Sequence, residues 1–330
     1  MQHNRANHTM PLLSICIPTY NRANYLEKTI INIIEQEIFI NSNYIEIVIS
    51  DNCSTDNTKE IVLKYLRAFP NKIIYNRNDK NIYDANFEKV LLLGHGIFLK
   101  LHNDTLLFNN NMLERYLQFI VDNAANRPVL FFTNGSALTN KDYIYCNSLN
   151  LFIKYGLYYI TWIGGFGIWQ KDINILNKCR NYSKTHFLQV KVLMELVNDK
   201  NQAIINNEHF FNLQLIKNKS KYDIFDIFIS NLFPIYREYV NNNTISKETF
   251  SYFKKHILFG FIIPSLLNFD NSTETSLKHN WKILFKEYKF CWYLYLSPIV
   301  LFVDYIYLKY KYLFSNLPQS IKIFLKVIFK

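Results

Sequence analysis

The stretch Ser14-Ile15-Cys16-Ile17-Pro18-Thr19-Tyr20-Asn21-Arg22, continuing through Ala23-Asn24-Tyr25-Leu26-Glu27-Lys28-Thr29-Ile30, decides the fold class. Leu12 to Ile17 is a short apolar run bounded by Pro18, which predicts a buried strand that the proline ends. Asn24 to Glu37 then carries apolar residues at helical spacing. The unit recurs downstream. Tyr44 to Ser50 is a second strand that enters Asp51-Asn52-Cys53-Ser54-Thr55-Asp56, and a helix is predicted over Asn57 to Phe69 with Thr55 or Asp56 as its N-cap. Lys72 to Tyr75 reads as a third strand and Tyr83 to Leu93 as a third helix. Ile97 to Leu101 is a fourth strand, ending in His102-Asn103-Asp104. Strand and helix alternating at this spacing predict an α/β fold with a mostly parallel sheet flanked by helices. Ligands bind beyond the carboxyl ends of such strands. The clusters at 18–22, 51–56 and 102–105 all lie just past a strand end, so one site is expected there.

Past Glu114 the local signals thin out. Val129 to Thr133 predicts a strand, Tyr158 to Trp169 holds a Gly-Gly-Phe-Gly turn, and Phe187 to Asn198 is apolar at helical spacing. Beyond about residue 215 the alternation stops, and a mainly helical region is expected. The expected organisation is a disordered extension over 1–10, an α/β domain over 11–215 and a helical, membrane-associating accessory region over 216–330.

Composition removes several function classes. The 330 residues contain only 8 glycines, where average usage would give about 23, and none falls into a G-x-G-x-x-G fingerprint or a Walker A loop. A nucleotide bound here is held without a glycine-rich phosphate cradle. The five cysteines are odd in number and show no C-x-x-C pairing, which fits a reducing compartment rather than a disulfide framework or zinc site. The first ten residues are polar, so no secretory signal peptide is expected. The net charge of +11 is uneven: Trp281 to Lys330 holds eight lysines against Glu287 and Asp304, a net of +6. That segment is interleaved with aromatics and contains no arginine, which favours an anionic bilayer surface over nucleic acid.

Each strand-end cluster has a chemical and a plain reading. Tyr20 and Arg22 offer a stacking face and a cation, suited to a planar base with anionic substituents, or else a turn with a packed Tyr and a solvated Arg. Helix capping accounts for Ser54, Thr55 and Asp56 but leaves Asp51-Asn52 over, and a strand-end carboxylate suits a ring proton donor. Asp104 suits a divalent cation carried on a diphosphate, or a turn.

As an ordered set these segments resemble the nucleotide-sugar half of the family 2 glycosyltransferases. "SICIPTYNRANYLEKTI" is similar to the family's opening strand, P-x-Y-N-R turn and helix, and "IEIVISDNCSTDNT" to its D-x-x-S-x-D-x-T segment. "NIYDANF" resembles the N-x-G…N segment and "GIFLKLHNDTLLFNNNMLE" the D-x-D region. The resemblance covers residues 11–120, and "GGFGIW" with the Asn81 to Asn86 spacing is similar to the abequosyltransferase-like branch. It implies a GT-A fold and a sugar transferase, of inverting type, that moves a hexose or deoxyhexose from a nucleotide diphosphate sugar to a lipid-linked saccharide. The setting implied is O-antigen, lipopolysaccharide or capsule synthesis at the cytoplasmic face of a bacterial inner membrane. Carried over, Pro18, Thr19, Tyr20 and Arg22 line the nucleotide pocket, Asp51 with Asn52 faces the base, and Asn86 stands in the N…N segment. Asn103 lies near the ribose, and Asp104 holds a divalent cation, Mn²⁺ or Mg²⁺.

Three departures from the family pattern matter. The D-x-D is His102-Asn103-Asp104, leaving one carboxylate, and His102 is either a second metal ligand or a packed histidine. The N-x-G glycine is missing at Tyr83. The family's Glu-Asp pair, which supplies the general base, is absent too. His186 is the best-placed titratable group, as base or as a plain helix-start residue, with Glu195 the second choice and Asp199 further on. A second reading of the chain is a non-catalytic GT-A-fold partner at the membrane surface, with a degraded D-x-D. In the tail, Phe290 to Leu308 is apolar but carries Pro298 and Asp304, which argues against a span. Ile321 to Lys330, with Lys322, Lys326 and Lys330 on one face, predicts an interfacial helix.

Overall fold

In the computed structural model, β1 (Leu13–Thr19) and β2 (Ile45–Asp51) are buried along all seven residues of each. That is the mark of parallel strands covered on both faces. The structure describes residues 10–215, 225–264 and 282–296. The chain divides into two compact units, Met1–Lys219 and Ser220–Lys330.

In the first unit, β1 leads to α1 (Ala23–Ile34) and the short α2 (Glu37–Asn41), and β2 leads to α3 (Thr58–Ala68). β3 (Ile73–Arg77), α4 (Ala85–Leu92), β4 (Phe98–Leu101), β5 (Leu106–Phe108) and α5 (Met112–Asn123) follow. β6 (Val129–Phe132), β7 (Tyr143–Cys146), α6 (Leu149–Gly156) and β8 (Gly167–Trp169) come next. The unit is completed by α7 (Ile175–Cys179), α8 (Leu188–Lys200), β9 (Ala203–Asn206) and β10 (Phe211–Leu213). The main sheet has the order β3-β2-β1-β4-β8, parallel except for β8 at the edge. The strand order therefore reverses between β1 and β4, and the crevice above that point is where such folds bind ligands. A second sheet, β6-β9-β7, and a β10-β5 pair complete the α/β unit.

The helices dock by the face their sequence pattern dictates. Leu26, Ile30 and Ile33 of α1 are fully buried at one face, so Ile30→Ala should cost about 2–5 kcal/mol. Glycine is essential at Gly165, where a Cβ would stand 2.3 Å from Phe132 O; this close approach seats the Gly-Gly-Phe-Gly turn against β6.

Three local expectations are corrected. Pro18 does not end β1: the strand runs on to Thr19, with Pro18 opposite Ser50. Its missing N–H lies on the β4 side, like the Cys16 carbonyl, and β4 has already stopped pairing at Cys16. Asn57, not Thr55 or Asp56, is the residue at the N-cap of α3, although Asp56 accepts the Thr58 N–H at 3.1 Å. Finally, Gly167–Trp169 is an antiparallel edge strand, beyond the turn expected there.

The second unit contains α9 (Leu232–Asn241), α10 (Lys247–Ile257) and a helical segment over 282–288. Its core is aromatic: Phe233, Tyr236, Phe253 and Tyr288 are fully buried. Lys254 lies among them, 4.6 Å from the Tyr288 ring centroid, with its ammonium donating to Glu287 O at 2.8 Å. No described helix is long and apolar enough to cross a membrane. The expected interfacial helix at 321–330 and most of Phe290 to Leu308 lie outside the described residues.

Candidate active site

The turn after β1 and the loop after β2 lock together at the edge where the strands end. Asn21 takes a left-handed backbone (φ 51°), accepts the Thr55 N–H at 2.7 Å and donates its own N–H to Ser54 Oγ at 2.9 Å. Asp56 accepts the Ala23 N–H at 2.9 Å, so one carboxylate serves the first turns of both α1 and α3. This clamp presents Tyr20 to solvent and aims Arg22 at the end of β4.

Asp104 is the centre of the arrangement. Its Oδ2 accepts from Thr19 Oγ1 at 2.9 Å and its Oδ1 from the Arg22 guanidinium at 3.0 Å. Its backbone carbonyl accepts from Thr29 Oγ1 at 2.9 Å, which pins the loop to α1. Burial raises the Asp104 carboxyl above its ordinary value, while Arg22 and Thr19 pull it back down. The Arg22 side chain is 37% exposed against 4% for Asp104, so a buried anion is coupled to a cation that reaches solvent. Beside it, Asn103 Oδ1 is buried without a hydrogen-bond partner. Buried acceptors are rarely left so, and this one stands at the switch point between β1 and β4.

Asp51, at the end of β2, is fully buried and saturated: Oδ1 accepts the Ser54 N–H at 2.8 Å, Oδ2 accepts Tyr75 Oη–H at 2.9 Å, and Arg77 lies 3.5 Å away. Asn52 Oδ1 accepts from Ile82 N and Asn78, while its amide donates to Asn81 Oδ1 and Tyr83 O. Asn86 is likewise consumed by Ser50 and Asn78. These three therefore build the floor and frame of the crevice. Tyr83 holds the left-handed φ of 51° that the family's glycine would supply, steadied by its N–H on Asn81 Oδ1 at 2.8 Å.

Of the two readings open for His102, the structure shows the packed one. The ring is fully buried, stacked on Phe108 with centroids 5.3 Å apart, and its Nε2 meets Leu106 O at 3.2 Å. Burial drives the imidazole well below its ordinary value, with Lys100 adding to the effect, so it stays neutral. Lys100 is itself fully buried, donating to Leu101 O and Gly164 O, and burial lowers its ammonium to about 7. No group of three His, Cys, Asp or Glu side chains able to hold a metal ion occurs among the described residues.

His186 follows the 3-10 turn Arg180–Thr185, and its Nδ1 lies 2.6 Å from Asp84 Oδ2. Glu195 sits within α8 and pairs with Lys191 at 3.0 Å, and Asp199 is exposed near the end of that helix. Sequence inspection passed over Asp84, Tyr75, Arg77 and Lys100. Tyr75 and Arg77 share one face of β3 by strand alternation, a signal that was present, but nothing local links Asp84 to a residue 102 positions on.

The comparisons agree with this architecture. Residues 14–148 match the family profile described as Glycosyl transferase family 2. Abequosyltransferase RfbV of Salmonella typhimurium is 45% identical over 86 residues, which is 26% of this chain and 25% of that protein. The match thus spans only about a quarter of that relative. Among solved structures, S. aureus TarS 1-349 in complex with UDP-GlcNAc superposes with TM-score 0.54 at 16% identity, over 75% of this chain and 73% of that one. Mannosyltransferase PcManGT from Pyrobaculum calidifontis, in complex with GDP-Man and Mn2+, gives TM-score 0.55 at 12% identity, over 91% and 81%. Over residues 14–148 the chain is therefore similar to the family 2 glycosyltransferases, and it has the GT-A fold.

Proposed function

We propose that this chain is a glycosyltransferase of bacterial surface-polysaccharide synthesis that takes its sugar from a nucleotide diphosphate donor. The observation that carries the proposal is the Thr19–Arg22–Asp104 cluster at the β1/β4 switch point, with the unpartnered Asn103 acceptor beside it. Tyr20 supplies a face for the base, Asp51 and Asn52 hold the floor beneath it, and Asn103 Oδ1 accepts from a ribose hydroxyl. Arg22 meets the diphosphate. The relatives' names support the same class: an abequosyltransferase, and a neighbour solved with a nucleotide sugar.

The side chains fit a divalent cation only as one carried in on the donor. Asp104 is a single carboxylate, and magnesium-type sites commonly pair one or two carboxylates with substrate phosphates. Asp104 would hold it, and the cation would neutralise the departing diphosphate. The transfer is inverting: the acceptor oxygen bonds to the anomeric carbon, the bond to the diphosphate breaks with its electron pair, and His186 takes the hydroxyl proton. The acceptor is a lipid-linked saccharide reached at the cytoplasmic face of the inner membrane. In support, Phe290 is 90% exposed and Trp292 and Tyr295 are also exposed, with Lys289 over the Phe290 ring and Lys255 over Trp292. Amphipathic rings beside lysines suit an anionic interface.

Incubation with a panel of nucleotide sugars and Mn²⁺ or Mg²⁺ should yield transfer or donor hydrolysis; no nucleotide binding and no hydrolysis would sink the proposal. The single-carboxylate D-x-D remnant favours one rival, a non-catalytic GT-A-fold partner at the membrane surface. Donor binding without turnover, across metals and acceptors, would select it.

A further inference from the structure

We propose that Asp84 is the positioning residue of a His186–Asp84 dyad, in which an imidazole backed by a carboxylate serves as the general base. The inference rests on the transferase reading above and assigns a role to a residue that reading does not use. The two side chains meet at 2.6 Å through His186 Nδ1 and Asp84 Oδ2. Asp84 stands at the N-cap of α4, where an aspartate ordinarily accepts a backbone N–H, yet its side chain makes no cap hydrogen bond. The carboxylate is directed to the imidazole instead. His186 in turn is held at φ 69°, a left-handed conformation that costs a non-glycine residue about 1–2 kcal/mol. Strain of that kind persists where the surroundings impose it.

A purely structural tie explains the pair less well. The 180–186 segment is already fastened to α4 by Arg180, whose guanidinium donates twice to Glu88 Oε1 at 2.8 and 2.6 Å. The dyad is also joined to the donor crevice. Asn52 donates to Tyr83 O, and Asn81 accepts the Tyr83 N–H, so the residue before Asp84 is fastened to the end of β2. α4 opens on the same edge as α1 and α3, because each helix follows a parallel strand. The His186 side chain is 41% exposed, which leaves it accessible to an acceptor from solvent.

The chemistry follows from the tautomer. A carboxylate facing Nδ1 holds the proton on that nitrogen and places the lone pair on Nε2, and it stabilises the imidazolium that forms. In the transfer step the acceptor's hydroxyl proton passes to Nε2 as its oxygen bonds to the anomeric carbon. The bond to the diphosphate breaks, and the diphosphate leaves with the electron pair.

The test uses the full chain with the best donor and acceptor of the panel. His186→Gln should lower kcat by about 10²–10⁴-fold. Asp84→Ala, which removes no cap, should lower kcat by about tenfold or more with nucleotide affinity unchanged, and Asp84→Glu should restore most of the rate. Nitrogen-15 NMR of the His186 ring, assigned with the Gln variant, should show the proton on Nδ1 in the parent and a mixture in Asp84→Ala. Full kcat in Asp84→Ala, or a proton on Nε2 in the parent, overturns the dyad alone. Absence of transfer and of donor hydrolysis by the parent overturns the transferase reading, and the dyad with it.

Discussion

Two strand ends carry the same pair of residue types in opposite order, Asp51-Asn52 at the end of β2 and Asn103-Asp104 after β4, and they are wired oppositely. Asp51 is satisfied by a peptide N–H and a tyrosine hydroxyl, with Arg77 near, and Asn52 has protein partners on both amide atoms. Asp104 instead depends on Thr19 and on Arg22, a cation that reaches solvent, and Asn103 Oδ1 has no partner at all. A polar pair that is saturated holds a fold together. A pair left with an open acceptor and a cation that reaches solvent is the one the proposed donor site draws on. Electrostatics separate regions that residue identity alone does not.

The largest expected effect tests that division directly. Asp104→Asn should cost transfer about 10²–10³-fold while leaving the urea midpoint nearly unchanged. Asp51→Asn should do the reverse, lowering unfolding free energy by about 1–3 kcal/mol because buried donors lose their anion. Equal behaviour of the two variants would erase the distinction. Next comes a pH effect on β4, the strand that leads to Asp104. Lys100 falls from its ordinary 10.5 to about 7 because burial disfavours the ammonium. Between those values the unfolded chain binds more protons than the folded one, so the lysine's destabilising cost is full below pH 7 and fades as pH rises to 10.5. Lys100→Met should therefore gain stability relative to the parent at pH 7, and that gain should shrink by a few kcal/mol toward pH 10.5, at about 1.4 kcal/mol per pKa unit. Denaturation midpoints across pH measure it, and a pH-independent difference would contradict it.

Smaller effects sharpen the comparison. Asn52→Ala should lower stability by about 1–3 kcal/mol, whereas Asn103→Ala should leave stability intact and weaken nucleoside diphosphate binding by about 1 kcal/mol, read by calorimetry. Smallest of all, Tyr83→Gly should relieve a left-handed tyrosine and raise stability by under about 1 kcal/mol, because glycine's greater freedom in the unfolded chain offsets part of the gain. A lower melting temperature would show that the 77% exposed Tyr83 ring packs on something it needs.

Much of the frame was legible because its signals are local. Apolar runs of strand length alternated with helical periodicity, and the polar clusters at 18–22, 51–56 and 102–105 fell where β1, β2 and β4 end. The run of β1 through Pro18 was not legible, since it depends on which neighbour has stopped pairing. His102, two residues before Asp104, stands instead among Phe108 and Phe211, because the chain leaves β4 at Leu101 and turns through 102–105, where strand periodicity no longer sets side-chain directions. Glycine scarcity had a consequence visible only in the fold. Asn21, Cys53, Tyr83 and His186 all take positive φ around the crevice, so side chains occupy turns that glycine would otherwise make.

By itself the sequence determined the α/β alternation, the edge where the polar clusters gather, and the absence of a glycine phosphate cradle, because periodicity and spacing act over a few residues. Only the tertiary structure decided which carboxylate is saturated and which is poised. The partners of Asp104 lie 82 and 85 residues away, and Asp84 reaches His186 across 102. Such pairs exist only once the sheet brings distant turns to one edge, so no local pattern records them.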